Sequence, residues 1–468
     1  MDLQILLAFG IYFAILFSFG LLFYKRNKNA ETYAMGGRSF NFWVTAIAAQ
    51  SSDMGAWLFM AYPAMIYSLG ALQIWTAVGL VIGMYLNWCL IAPRLRAQSE
   101  KLGAVTIPGF LAKRFNDQSN LIVSISAIVA SFFFTCYISS GIVGLGRLFE
   151  SAFDIPYLAG IFVGIGITLL YTLIGGFLAV SWSNLFQGLF LLGVILIVPV
   201  YGYFAVGGAL PIKLTALASG VSLSVIPSMQ TFKDSLILFT SFGLGYFGQP
   251  HILINFMGIN DTSKLKNATF VGIGWQIIVL LCAAAIGIVG IAYFPCGLEN
   301  NEHLFVNMVR GLFSPFVTGM ALCGILAATL STLNTQLLVA STGLSDDLYP
   351  AMTGKASTLL LSRVATIAIG AISLFISLTN SSSIYNLVQY SWAGLGSAFG
   401  PVMIAALYFK NINHFGAIAG ICVGAGLAGF WPLLNCPIPT LVGAMSASFI
   451  AMYLVSKLTS CHREPTQL

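Results

Sequence analysis

Long apolar runs follow one another along almost the whole chain. A helix needs about 20 apolar residues to cross a bilayer, and thirteen stretches approach or exceed that length. They are roughly residues 3–24, 42–62, 70–92, 121–146, 157–176, 182–207, 235–256, 270–294, 313–340, 360–379, 386–408, 414–432 and 438–457. These runs leave no room for a separate soluble domain. The pattern therefore predicts an all-α polytopic membrane protein of about thirteen transmembrane helices, with residues 1–468 forming a single domain.

The few charged residues agree with this topology. The chain is 58% hydrophobic and only 7% charged, whereas soluble proteins are about 25% charged. If the N-terminus lies outside, sixteen of the 20 Lys and Arg residues fall on the inside, and only Arg147, Lys213, Lys233 and Arg310 fall outside. The positive-inside rule thus predicts an external N-terminus and a short cytoplasmic tail, 458–468. The net charge of +6 is then explained by basic loops on the inner side of a lipid bilayer, and it does not indicate binding to a nucleic acid.

The sequence lacks the residue patterns that are typical of common enzymes. The eight cysteines and four histidines are scattered, without the spacing of a disulfide framework or a zinc site. The Gly354-Lys355 pair lacks the other residues of a phosphate-binding loop. We therefore predict that the protein is not an enzyme and holds no cofactor.

Asp53 is the one acidic residue that the pattern places deep within an apolar run. It follows Gln50-Ser51-Ser52 in the second run. A carboxylate at the centre of a membrane helix costs about 2.5–3.5 kcal/mol on insertion scales, and such residues usually face a polar cavity. No Lys or Arg lies at the centre of another apolar run, so a transported cation is the simplest counter-charge.

Two runs carry residues that interrupt helices. The second has Gly55 just after Asp53, and the seventh contains Gly243, Gly245, Gly248 and Pro250. Irregular backbone at membrane depth is tolerated only where it lines a protein cavity, and paired interrupted spans mark inverted-repeat transporters. The five-helix spacing predicts repeats of helices 2–6 (42–207) and 7–11 (235–408). The extra helices are then 3–24 and the C-terminal pair within 414–457. The alternative interpretation is that the glycines of these runs only allow neighbouring helices to pack closely.

A polar stripe marks the ninth run. Ala328, Ser331, Thr332 and Thr335 share one helix face by their spacing. Hydroxyl and carbonyl oxygens are ligands that hard cations prefer. The alternative is that these hydroxyls bond to the preceding turn or hold helices together. The neighbouring carboxylate in run two favours an ion site.

Several strings in this sequence resemble a known family. They are Gly36-Gly37-Arg38-Ser39, Ser52-Asp53-Met54, Gly175-Gly176-Phe177-Leu178-Ala179-Val180-Ser181-Trp182, Gly243-Leu244-Gly245-Tyr246-Phe247-Gly248-Gln249-Pro250-His251-Ile252 and Leu330-Ser331-Thr332-Leu333. In this order and spacing the chain resembles the sodium:solute symporter family, and within it the bacterial sodium/proline carriers most closely. The resemblance implies a LeuT-type fold and a single transporter domain that takes up its solute with sodium.

The resemblance also implies the site residues. The sodium site would consist of the backbone carbonyls of Ser51, Met54 and Ala328 and the hydroxyls of Ser331 and Thr332, with Asp53 beside it. The substrate pocket would lie between helices two, four, seven and eleven. Its walls would include Gly55, Tyr137, Phe242 and Tyr246.

The implied activity is import of a small amino acid, L-proline first, by alternating access in the bacterial cytoplasmic membrane. Two departures bear on specificity, because Gly55 and Phe242 stand where the proline carriers have serine and tryptophan. Sialic acid, pantothenate or a sugar remain alternative solutes, and a proton remains an alternative coupling ion. Asn184 stands where relatives with a second sodium have aspartate, so we expect one sodium per solute. We expect the monomer to be functional.

Overall fold

The chain folds into a bundle of helices that follows the predicted runs closely. The computed structural model describes residues 2–24, 36–226, 228–378, 383–434 and 436–460, without the side chain of residue 460. The helices are α1 (Leu3–Tyr24), α2 (Phe42–Ala56), α3 (Tyr62–Leu69), α4 (Ile74–Leu86), α5 (Ala92–Lys101), α6 (Ile107–Arg114), α7 (Leu121–Phe153), α8 (Tyr157–Ala205), α9 (Ala209–Ala218), α10 (Phe232–Gly243), α11 (Pro250–Met257), α12 (Leu265–Tyr293), α13 (Leu304–Leu312), α14 (Pro315–Thr342), α15 (Tyr349–Thr353), α16 (Leu359–Ser377), α17 (Ile384–Tyr408), α18 (His414–Phe430) and α19 (Thr440–Ser460). Within the described ranges the one β-type pairing is an isolated bridge between Phe40 and Ile259.

Ten helical segments in the described parts of the chain are long and apolar enough to cross a membrane. The interrupted runs 42–69 and 232–257 come in addition, because their helical ladders are broken. The 49-residue α8 bends sharply at Gly176, where φ is 56° and ψ is −174°, and the fifth and sixth predicted runs meet there. Residues 177–181, which lie between the two predicted runs, are helical, and the kink at Gly176 separates the two helices because glycine adopts positive φ without strain. The ten segments, the two interrupted runs and the division of α8 into two halves are together compatible with thirteen crossings. The number of crossings stays a prediction.

The centre of the bundle is formed by α14 and α17. Of the most apolar stretch of each, 83% and 89% of the residues are buried inside the protein, compared with about 33% in α1 and α19. Helix α14 packs against α1, α2, α7 and α8. The outer helices thus expose apolar surface, as they must in lipid, and the polar residues of α14 are enclosed.

Glycines allow α4 and α10 to cross at backbone contact. A Cβ on Gly79 would collide with the carbonyl of Phe239, and one on Gly83 would collide with the carbonyl of Gly243. Close approach of this kind through small residues is how membrane helices associate. The crossing holds α10, the first half of the seventh run, against the third run beside the centre of the bundle.

Four arginines tie together one end of the bundle. Arg38, Arg94, Arg96 and Arg114 each donate to backbone carbonyls of distant segments. The accepting carbonyls belong to residues 104, 257, 259, 406 and 407. All of these lie at the end that the charge distribution predicts to be cytoplasmic.

A buried ion pair ties the opposite end. The guanidinium of Arg147 on α7 pairs with the carboxylate of Glu302, which precedes α13. The second oxygen of Glu302 accepts the backbone N–H of Ile384 at 3.1 Å. The pair therefore joins α7, the segment before α13 and the start of α17 in one contact.

Candidate functional site

The helix of run two breaks at Gly55. Its φ of 51° and ψ of −162° lie in a region that is essentially restricted to glycine. Residues 57–61 then form a wider π-type turn before α3 begins. The interruption predicted from Asp53 and Gly55 is thus present, and it lies at the centre of the protein because residues 44–56 are all buried.

Run seven is interrupted as predicted. After α10, residues 244–248 form a 3₁₀ turn, and Gln249 is extended with φ of −93° and ψ of 99°. Proline at the first position of α11 restarts the helix, since its missing N–H is not needed there. The carbonyls of Gly245 and Trp392 accept the Gln249 amide at 3.3 and 3.1 Å, which satisfies part of the freed backbone.

Oxygen atoms from α2 and α14 form a cluster opposite the first break. The Ser331 hydroxyl donates to the carbonyls of Ser51 at 2.7 Å and Ala328 at 2.9 Å. The Thr332 hydroxyl lies 3.3 and 3.1 Å from the same two carbonyls. Both hydroxyls bond within their own helix, as the structural alternative requires. They also reach across to Ser51, and each oxygen keeps lone pairs that could bind a cation.

Met54, the fifth predicted sodium ligand, is placed differently. Its carbonyl accepts the backbone N–H of Trp57, which closes the turn after the break. Among the described residues no hydrogen bond links Met54 to Ser331 or Thr332. Hydrogen bonds therefore gather Ser51, Ala328, Ser331 and Thr332, and Met54 shares with Thr332 the lining of a small cavity.

A second layer of hydrogen bonds surrounds this cluster. The carbonyl of Asn184 on α8 accepts the Ser51 hydroxyl at 3.0 Å. The Asn184 amide donates to the Thr335 hydroxyl at 2.9 Å, and Thr335 donates to the Ser331 carbonyl at 2.9 Å. Asn184 thus adjoins the cluster with a neutral, donating side chain.

The described hydrogen bond to the Asp53 carboxylate comes from an aromatic side chain and not from the hydroxyls of α14. The Oδ2 atom of Asp53 accepts the phenol of Tyr246 at 2.5 Å, and the Tyr246 oxygen in turn accepts the amide of Gln276 at 2.8 Å. The partner of this carboxylate inside the protein is therefore a tyrosine. Asp53 is also not the only buried acid, because Glu302 and Asp347 are each 8% exposed. Those two lie near helix ends.

Aromatic side chains enclose a small cavity beside Asp53. The cavity of about 20 Å³ is lined by Asp53, Met54, Trp57, Leu80, Tyr137, Phe242, Val388 and Trp392. A cavity of about 10 Å³, which includes Gly55, Tyr137 and Thr332 in its lining, lies next to it. Each could hold roughly a single water molecule. This space is too small for an amino acid, so a solute can be accommodated only if the surrounding side chains or helices move.

Three of the four predicted pocket residues line these cavities. Gly55, Tyr137 and Phe242 do so. Tyr246 is completely buried and lies behind Asp53, with its ring edge-on to Trp392 at 5.0 Å between centroids.

Sequence reasoning did not identify Trp57, Trp392 or Gln276. Trp392 belongs to the eleventh run, one of the four expected around the pocket, and its indole donates to the Phe242 carbonyl at 2.8 Å. Trp57 follows Asp53 by four residues, a spacing that places two side chains on one face of a regular helix. Gln276 had no comparable signal, because it is a single amide in the long apolar run that became α12.

Two interrupted helices that meet at a closed polar centre within a multi-pass bundle define a secondary transporter. The chain belongs to the sodium:solute symporter family, whose model matches residues 33–424. It is 38% identical to the high-affinity proline transporter PutP of Bacillus subtilis, over 94% of this chain and 95% of that protein. It is 37% identical to a sodium/proline symporter of Staphylococcus aureus, over 97% of this chain and 93% of that one.

A solved structure gives the same fold. A sodium-coupled sialic acid symporter, captured in a substrate-bound outward-open state, superimposes with a TM-score of 0.80 over 98% of both chains, at 19% identity. The likeness confirms the LeuT-type fold that the sequence predicted. Family membership confirms the class of transporter as opposed to enzyme. The number of crossings and the repeat boundaries stay predictions.

Proposed function

We propose that this protein imports L-proline in symport with sodium by alternating access, across a bacterial cytoplasmic membrane. The names of the relatives, a proline transporter and a sodium/proline symporter, support L-proline as the solute. The observation that carries the mechanism is the oxygen cluster of Ser51, Ala328, Ser331 and Thr332 next to a closed aromatic cavity. An ion and a small solute could occupy adjoining sites there.

The sodium ligands are the carbonyls of Ser51 and Ala328 and the hydroxyls of Ser331 and Thr332. The Met54 carbonyl, three residues after Ser51 in the same helix, is the fifth ligand that the family resemblance implies. Oxygen atoms suit a hard cation. The hydroxyl protons already donate to carbonyls, so the hydroxyl lone pairs are free to bind the ion.

One sodium accompanies each solute. The side chain of Asn184 adjoins the cluster as an uncharged donor to Thr335, and it cannot offset the charge of a second desolvated cation. Moving one charge across 100 mV releases about 2.3 kcal/mol, and a tenfold sodium gradient adds about 1.4 kcal/mol. Together they support roughly a 500-fold accumulation of solute. A single ion is therefore sufficient to scavenge a nutrient.

The orientation follows from the basic end of the bundle. Arg38, Arg94, Arg96 and Arg114 gather at one end, and the positive-inside rule assigns that end to the cytoplasm. The N-terminus is then external and the C-terminus cytoplasmic. The polar centre is enclosed within one chain, which supports a functional monomer.

Uptake into proteoliposomes tests this function. Purified protein should accumulate radiolabelled L-proline when an inward sodium gradient is imposed at constant pH, and it should not when potassium replaces sodium. Accumulation driven by a proton gradient in the absence of sodium would instead establish a proton-coupled carrier. Sodium-stimulated entry of sialic acid, pantothenate or a sugar without entry of proline would overturn the solute.

A further inference from the structure

We infer that a groove on the lipid-facing side of the bundle binds a small, uncharged aromatic molecule that carries one hydroxyl group. The groove lies between α3, α4 and α12 and has a volume of about 210 Å³. A molecule bound there opposes binding of the solute. The groove as a binding site is independent of the proposed function, whereas its effect on the solute rests on that function.

The groove extends from the outer surface of the bundle into its interior. Ile82 of α4 and Ile277 and Leu281 of α12 form an exposed apolar rim, while Tyr62 and Leu280 are buried at its base. An engineered apolar cavity of about 150 Å³ in another protein binds benzene, so this groove has room for one ring with a small substituent. A molecule dissolved in the bilayer can reach the groove directly from the lipid.

The base of the groove contains a hydroxyl group without a partner. Tyr62 is completely buried, and its phenol oxygen has no hydrogen-bond partner among the described residues. The other lining residues are alanine, valine, leucine and isoleucine, whose side chains cannot satisfy it. An unpaired hydroxyl in apolar surroundings is costly, and the bilayer core offers no water to pair with it. A ligand with its own hydroxyl supplies the missing hydrogen bond, which a lipid acyl chain cannot do.

The same lining excludes a charged ligand. None of the described residues that line the groove is charged, and a buried charge without a partner is far more costly than an unpaired hydroxyl. A zwitterionic solute would lose its hydration there and gain no counter-charge. The class of ligand that fits is therefore uncharged and capable of one hydrogen bond, and it differs from the solute.

Tyr62 connects the groove to the two small cavities at the centre of the protein. Its ring stacks on Trp57, with centroids 4.8 Å apart and planes 14° apart. Trp57 lines both cavities, and its ring lies 5.8 Å from that of Phe242. Because the cavities are too small for an amino acid, the side chains around them must move when a solute enters. A ligand bonded to the Tyr62 hydroxyl stabilises the stacked pair in its present position, and it therefore opposes the solute.

p-Cresol and toluene are matched probes, because they differ by one hydroxyl group. Thermal unfolding of the full-length protein in lipid nanodiscs, at increasing concentrations of each probe, gives the two affinities from the stabilisation of the folded state. The partition of each probe into protein-free nanodiscs converts these affinities to concentrations in the membrane. At equal membrane concentration the wild type should bind p-cresol about fivefold more tightly than toluene, which is the effect of one neutral hydrogen bond.

Three substitutions locate the probes. Tyr62→Phe keeps the ring that stacks on Trp57, and its preference for p-cresol over toluene should fall below about twofold, since the hydroxyl that distinguishes them is gone. Val81→Phe places a second ring in the groove and should abolish the stabilisation by both probes. Ile278→Phe is the matched control, because Ile278 lies on α12, is exposed and does not line the groove. This control should bind both probes as the wild type does.

The effect on the solute is measured with both ligands present. Saturating L-proline with sodium should weaken the binding of p-cresol to the wild type by about fivefold or more, as is usual for coupled sites. By thermodynamic linkage, p-cresol should weaken proline binding by the same factor in a calorimetric titration. In Val81→Phe, p-cresol should leave proline binding unchanged, which separates the groove from a general effect of the probe on the membrane.

The possible outcomes are distinct. If the wild type binds p-cresol and toluene equally at equal membrane concentration, the groove accepts any apolar chain, a lipid acyl chain included, and the assignment is wrong. If Val81→Phe keeps the stabilisation, the probes bind elsewhere and the assignment is also wrong. If p-cresol binds as expected and proline does not weaken it, the effect on the solute is refuted. If the wild type binds no proline in sodium, the proposed function fails, while the comparison of the two probes still decides the ligand of the groove.

Discussion

Replacing Ser331 by alanine should weaken sodium binding without abolishing transport. The side chain gives the oxygen cluster a hydroxyl 2.7 Å from the Ser51 carbonyl and 2.9 Å from the Ala328 carbonyl. Alanine removes that oxygen and keeps the helix, since alanine is the best helix former. Thr332 remains 3.3 Å from Ser51, so the site loses one ligand and is not dismantled.

The size of the effect follows from the charge on the ion. An interaction between a dipolar group and a charged partner in a protein is worth about 1.5–3 kcal/mol, and a neutral hydrogen bond is worth about 1 kcal/mol. Loss of the ligand should therefore raise the sodium concentration for half-maximal uptake by about 10- to 150-fold. Stability without sodium should fall by only about 1 kcal/mol, because the lost bonds are then neutral.

Sodium titrations of proline uptake in proteoliposomes measure this effect, and α14 offers a matched control. Ser341 lies ten residues further along the same helix, is completely buried, and donates only to the Leu338 carbonyl at 3.0 Å. Ser341→Ala should cost similar stability and leave the sodium dependence unchanged. An unaltered sodium dependence in Ser331→Ala, together with a comparable loss of stability in both variants, would refute the ion site.

Three further changes test other parts of the structure. Gly176→Ala should destabilise the protein by about 1–3 kcal/mol, since φ of 56° and ψ of −174° strain any L residue. The control is Gly166→Ala in the same helix, where a Cβ meets no atom within 4 Å. That change should not lower the unfolding temperature. Glu302→Gln should lower the unfolding temperature because it removes the carboxylate that pairs with the buried Arg147 guanidinium. Arg147→Met added to it should restore part of the thermal stability, and failure of the second change to restore any would argue against the pair. Phe242→Trp should narrow the range of solutes that compete with proline uptake, since a larger ring enters a cavity of about 20 Å³; an unchanged range would exclude this residue from the pocket wall.

The sequence by itself determined the class of molecule and the places where its helices break. Apolar runs of bilayer length leave only a helical membrane protein, because lipid offers no partners for backbone groups. Gly55 and the cluster from Gly243 to Pro250 interrupt helices for local reasons, since glycine and proline weaken the ladder wherever they occur. The stripe on α14 was readable for a similar reason, because residues 328, 331 and 332 share a face through helical spacing alone.

Only the tertiary structure decided what those polar groups face. Nothing local links Ser51 to Ser331, which are 280 residues apart and bond across α2 and α14. Nor does any local pattern turn the Asp53 carboxylate towards Tyr246, or place Gln276 of α12 behind that tyrosine. Side-chain direction at a helix break depends on the backbone on both sides of the break and on the helices packed around it. The sequence could therefore locate the acid and the glycine, while the packing of distant helices determined that the carboxylate faces an aromatic cavity.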